Sequence, residues 1–212
     1  MTDELIERLA RDVKPVRSRA MERLLIGAVL LSGLVAGLAM LMWLGMRPDM
    51  PTAAETMMYW TKFFYTLGLA VLGGATTLVL ARPGGRTSWP WLGAIGLLAL
   101  VLVGAFLQMA WAGPGQMMPL VIGDTFLIGP WRIMVLALPV LLGAILALRR
   151  MAPTRPALAG FAAGIMAGGT GAWVYSFACA ENGIMFVALW YTLGILLVAG
   201  LGAALGRVFL KW

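Results

Sequence analysis

Apolar residues run in blocks of about twenty along this chain, and each block is closed by a short cluster of charged, glycine or proline residues. An α-helix rises about 1.5 Å per residue, so a block of that length crosses a hydrocarbon layer of about 30 Å. Six blocks are legible, at about 24–46, 63–81, 91–112, 133–148, 157–177 and 184–205. The first ends at Arg47-Pro48-Asp49 and the second at Arg82-Pro83-Gly84-Gly85-Arg86, both polar and helix-stopping. The pattern predicts an all-α, polytopic integral membrane protein. Residues 24–212 form one bundle of six transmembrane helices, and residues 1–23 form a separate tail with a short amphipathic helix.

In the tail, Thr2 and Asp3 are suited to cap a helix whose first turn carries Asp3, Glu4 and Glu7 at the positive end of its dipole. Leu5, Leu9 and Val13 recur every fourth residue with Ile6 beside them, which makes one apolar stripe. A helix so short is marginal alone in water and needs a surface to pack on. Two surfaces suit it: an anionic leaflet facing the arginines, or a soluble partner with a groove for the stripe. The pattern leaves both open. The tail is not a signal peptide, because the apolar block after Arg23 is too long for an h-region and no small-residue cleavage site follows.

Charge orients the bundle. Thirteen basic residues fall in the tail and the alternate connections on its side: Arg8, Arg11, Lys14, Arg17, Arg19, Arg23, Arg82, Arg86, Arg149, Arg150, Arg155, Arg207 and Lys211. The opposite connections hold only Arg47, Lys62 and Arg132. By the positive-inside rule, both termini are expected in the cytoplasm and the protein in a bacterial inner membrane. The formal net charge of +7 is thereby a matter of topology, with no direct nucleic-acid partner implied. Trp43, Trp60, Trp89, Trp91, Trp111, Trp131 and Trp212 fall at the predicted span ends, where an indole sits among headgroups.

Composition then narrows the chemistry. With 61% hydrophobic and 12% charged residues, the chain cannot cover a water-facing surface, since a soluble domain carries roughly 25% charged residues. There is no histidine, which removes His-dependent metal sites, haem ligation, triads and Cys–His dyads. A single cysteine, Cys179, excludes an intrachain disulfide and any CxxC site. The six blocks as drawn contain no Asp, Glu, Lys or Arg, and this speaks against an ion-coupled carrier. Gln108 is their one strongly polar residue and is read as an interhelical hydrogen bond. No nucleophile with a base is legible, so no catalytic residue, cofactor or metal is assigned. The fifteen methionines are read as apolar filler. Gly160-Phe-Ala-Ala-Gly164 and Gly168-Gly-Thr-Gly171 are read as close packing within one bundle, and self-association is left open.

Several stretches resemble the NrsF-type anti-sigma factors, negative regulators of sigma factor F and related extracytoplasmic-function sigma factors of proteobacteria. They are Leu5-Ile-Glu-Arg-Leu-Ala-Arg-Asp-Val-Lys-Pro-Val16, Leu44-Gly-Met-Arg-Pro-Asp49, Leu80-Ala-Arg-Pro-Gly84, Arg155-Pro-Ala-Leu-Ala-Gly160, Cys179-Ala-Glu181 and Phe186-Val-Ala-Leu-Trp-Tyr-Thr-Leu-Gly194. Their order and spacing over nearly the whole chain carry the resemblance.

The resemblance implies that the tail binds a sigma factor and holds it at the membrane, away from RNA polymerase core enzyme. Leu5, Ile6, Leu9 and Val13 would supply the apolar contact and Arg8 and Asp12 the register, with Pro15 ending the helix before Val16. An envelope, oxidative or metal stress signal would release the sigma factor. The family is also associated with two external cysteines. Here Gly129-Pro-Trp-Arg-Ile-Met134 has none, and the family's histidine before the second cysteine reads as Ala178. Cys179 is the candidate sensor that remains, set against its reading as a small apolar residue at a helix end. Two rivals are a small transporter or channel, and a passive scaffold whose tail lies on lipid.

Overall fold

The computed structural model describes residues 20–82, 84–85, 89–113, 115–151 and 153–210. The predicted tail helix and its residues Leu5, Ile6, Arg8, Leu9, Asp12, Val13, Pro15 and Val16 lie outside these. Among the described residues the fold is all helical, and six helices are long and apolar enough to cross a membrane. They are α1 (Ala20–Trp43), α3 (Met57–Leu80), α4 (Trp89–Trp111), α6 (Gly129–Leu148), α7 (Pro156–Ser176) and α8 (Ile184–Phe209). Two short helices lie in connections, α2 (Met50–Ala53) and α5 (Met117–Ile122).

Local chemistry sets the helix ends. After α1 the amides of Leu44 and Gly45 both return to the Met40 carbonyl, with Gly45 at φ +72°, a left-handed stop suited to glycine. At the start of α3 the Thr56 hydroxyl accepts from the Tyr59 amide. Pro130 and Pro156 occupy first-turn positions of α6 and α7, where their missing N–H costs nothing. Inside α3 the hydroxyls of Thr66, Thr76 and Thr77 donate to carbonyls four residues earlier, so these polar groups are satisfied without water.

α7 is the most enclosed helix and packs on α8, α3 and α6. Its glycines make that possible. A Cβ on Gly160 would meet the Gly202 carbonyl of α8, one on Gly164 the backbone of Ala199, and one on Gly168 that of Ile195. On its other sides Gly169 abuts Ala70 of α3, and Gly171 abuts Ala137 of α6. The reading of these glycines as bundle packing agrees with this arrangement: van der Waals contact between backbones replaces the hydrophobic driving force that lipid does not supply.

α4 and α1 are the least enclosed spans. α1 leans mainly on α6 and scarcely touches α3. Between α1 and α3 runs an apolar groove of about 1040 Å³, floored by α7 and bordered by Leu30, Leu34, Gly37, Val71 and Gly74. Outward-facing Leu30, Leu31, Val71, Leu92, Leu100 and Phe106 are all exposed, an apolar surface that hydrocarbon solvates and water does not.

Several span starts lie earlier than the sequence pattern, among them α1 at Ala20 rather than near 24. α3 begins at Met57 rather than near 63, and α6 at Gly129 rather than near 133. Lys62 and Arg132 therefore sit on membrane-crossing helices, as do Glu22 and Arg23 in the first turns of α1 and Arg207 in the last turn of α8, which corrects the expectation of spans free of ionisable side chains. A charge was taken as a boundary, but Lys62 is fully buried with protein acceptors of its own.

Candidate functional site

Polar side chains gather at one end of the bundle around residues 177–183, the connection between α7 and α8. Arg47, just beyond α1, anchors it twice: its amide donates to the Phe177 carbonyl at 3.1 Å, and its Nη1 to the Cys179 carbonyl at 3.2 Å. From α3, Lys62 Nζ donates to the same Cys179 carbonyl at 3.3 Å and also to the carbonyl of Glu181. One main-chain oxygen is thus shared by two basic side chains, one from the stretch after α1 and one from α3.

Arg47 is aimed by Asp49. Its Nε and Nη2 meet the two carboxylate oxygens at 2.8 and 2.6 Å, a bidentate pair in which the arginine side chain is 3% exposed and the aspartate 51%. The hydrogen bonds from Arg47 lower the Asp49 carboxyl to about 2, and the same contact raises the guanidinium further.

The other side of the connection is tied as firmly. Glu181 Oε1 accepts from the amides of Asp124 and Thr125 and from the Thr125 hydroxyl, at 2.9, 3.0 and 2.8 Å. Gly123, at φ +59°, leaves room for this carboxylate, which any Cβ there would strike. Gln108 of α4 donates to the Asn182 carbonyl at 3.3 Å and accepts from the Ile184 amide at 2.7 Å. The interhelical role read for Gln108 is met here, between α4 and the start of α8. The first turns of α8 include a wider π-helical stretch at Val187–Tyr191, where Trp190 Nε1 reaches the Val121 carbonyl at 2.9 Å.

Cys179 lies at the centre, free and 3% exposed. Tyr191 and Tyr175 adjoin it, their rings 5.7 Å apart. The hydroxyls of both tyrosines, and Nε of nearby Arg132, are buried and find no hydrogen-bond partner among the described residues. Also among these residues, no three metal-ligating side chains assemble. The arrangement can lock a connection in place.

Of the site residues predicted from sequence, the structure thus places only Cys179. Arg47, Lys62, Gln108 and Glu181 were each visible as polar residues near span ends. Their convergence was not, because most of their partners are main-chain carbonyls and amides, which every residue has.

Residues 9–212 match the family described as negative regulator of sigma F. Over 212 residues the chain is 38% identical to the anti-sigma-F factor NrsF of Caulobacter vibrioides (strain NA1000 / CB15N), covering 100% of this chain and 99% of that protein. It is 35% identical, with the same coverage, to the protein named "Probable anti-sigma-F factor NrsF" of Azospira oryzae (strain ATCC BAA-33 / DSM 13638 / PS). No solved structure matches.

Proposed function

Because this chain belongs to the family of negative regulators of sigma F, we propose that it is a membrane-bound anti-sigma factor for an extracytoplasmic-function sigma factor of the sigma-F type. Its role is regulatory rather than catalytic. The similarity to anti-sigma-F factors over the whole chain is the observation that carries this reading. The excess of basic residues in the tail and its associated connections supports a cytoplasmic tail and C-terminus in a bacterial inner membrane.

The tail is the sigma-binding element. Leu5, Ile6, Leu9 and Val13 give it an apolar stripe, and burial of that stripe supplies affinity. Arg8 and Asp12 contribute register and encounter rate more than strength, and Pro15 and Val16 lead the chain away toward α1. The cluster around Cys179 then faces the periplasm, where an envelope, oxidative or metal stress would act on it to release the sigma factor.

Co-purification of the full-length protein with the cognate sigma factor tests the reading. Leu5→Asp and Leu9→Asp place a charge on the stripe and abolish capture, while the six-helix domain still enters the membrane. Capture that survives both substitutions rules out the tail. In the same assay Cys179→Ser abolishes oxidant-driven release; release that continues unchanged takes this residue out of the mechanism.

A further inference from the structure

α1 leads directly from the tail, and α3 returns to the tail's root, yet the two helices are separated along the membrane by the apolar groove. They are joined at its two ends. Beside the tail, Arg82 Nη2 lies 3.0 Å from Glu22 Oε1 in the first turn of α1. At the far end, Arg47 beyond α1 and Lys62 on α3 converge on the Cys179 carbonyl.

These two joints differ in strength. The Arg82 side chain is 61% exposed, and an exposed ion pair contributes little to holding two elements together. Arg47 and Lys62 are 6% and 0% exposed, and a buried cationic donor that loses its acceptor is costly. The far joint is therefore costly to open, since either cation would have to leave its acceptor.

We propose that Arg47 and Lys62 are positioning residues that clamp α1 to α3 through the Cys179 carbonyl, and that displacement of the 177–183 connection opens this clamp and loosens the tail's hold on its sigma factor. Three features favour transmission along α1. It is among the least enclosed spans, it rests on α6 rather than α3, and an apolar groove runs along the side that faces α3. This mechanism rests on the sigma-binding reading given above, and the test separates the two.

The background is Cys179→Ala, which removes the one cysteine and keeps the main-chain carbonyl that the clamp uses. Nitroxide labels go on α1 and α3 through Leu31→Cys and Val71→Cys, both exposed positions, in the full chain reconstituted in lipid nanodiscs. Electron–electron distances and retention of the co-purified sigma factor are read together. K62M and R47Q lengthen or broaden the label distance and lower retention about fivefold or more, while K62R, which can still donate to the carbonyls, keeps both near the parent. R47Q leaves α3 intact and carries the test alone if K62M fails to assemble. A distance unchanged in the variants overturns the clamp, and a changed distance with unchanged retention overturns its coupling to the tail. If the parent itself retains no sigma factor, the sigma-binding reading falls, and the label distances still decide whether the clamp exists.

Discussion

Asp49 is half exposed and yet determines where the buried Arg47 guanidinium points, because it occupies two of its donors and leaves Nη1 for the Cys179 carbonyl. Its carboxyl, held at about 2 by those hydrogen bonds, lies below the ordinary 3.8. A carboxyl lowered in the folded state stabilises the fold above its unfolded pKa and loses that contribution as pH falls through the folded value. Thermal unfolding of the solubilised protein is therefore expected to show no Asp49-dependent change from about pH 8 down to about pH 5, and a decline below about pH 4 that Asp49→Asn lacks. A decline near pH 6 that the asparagine variant removes would contradict this assignment. Cys179 belongs to the same scale: its carbonyl is an acceptor for two cations, so replacing its side chain and displacing its backbone are separate perturbations.

For the helices, residue volume decides which positions can change. Gly164 of α7 lies against the Ala199 backbone, whereas Gly200 of α8 has nothing near its Cβ position. Gly164→Val is expected to separate α7 from α8 and prevent a stable bundle, since overpacking by even a few methylenes costs about 1–3 kcal/mol and here the obstacle is backbone. Gly200→Ala is expected to be neutral or to raise the melting temperature slightly, because it removes a helix-interior glycine worth about 0.5–1 kcal/mol. Heating both variants in the same detergent checks the contrast. Much at this scale was legible in advance. Block length gave six spans, the spacing Gly160-x-x-x-Gly164 marked the tight seam, and Gln108 marked a bond between helices. The starts of α3 and α6 were not, because Lys62 looks like a flanking charge until the carbonyls of residues 179 and 181 come into place, and Arg132 looks like one until the helix that starts at Gly129 carries it. Hydropathy along the chain contains no record of an acceptor supplied by a distant backbone.

At the scale of the whole molecule the arrangement is uneven. α7 and α8 form an inner pair in direct backbone contact, with α3 and α6 against it, while α1 and α4 stand toward the lipid. The polar cluster at one end reaches nearly all of these elements: α1 through Arg47, α3 through Lys62, α4 through Gln108, and the stretch after α5 through Glu181. The cluster thus connects the less enclosed spans with the enclosed ones at a single end of the bundle. The candidate site was therefore half legible, since its polar members stand in the sequence while their shared focus exists only once the helices are packed.

The glycine seam of α7 also bears on which substitutions the chain can survive. α4 is bulkier and more hydropathic than α7, and judged by apolarity alone it is the more strongly membrane-adapted span. Tolerance runs the other way. Lipid accepts almost any apolar shape, so a saturation scan selected for membrane insertion and sigma-factor capture should pass most Leu, Ile, Val and Phe exchanges along α4. The same scan should reject nearly every enlargement at Gly160, Gly164, Gly168 and Gly171. The least hydrophobic membrane helix is thus the one whose spelling is most constrained, and an inherited change of a single methyl group there weighs more than a wholesale rewriting of its lipid-facing neighbour.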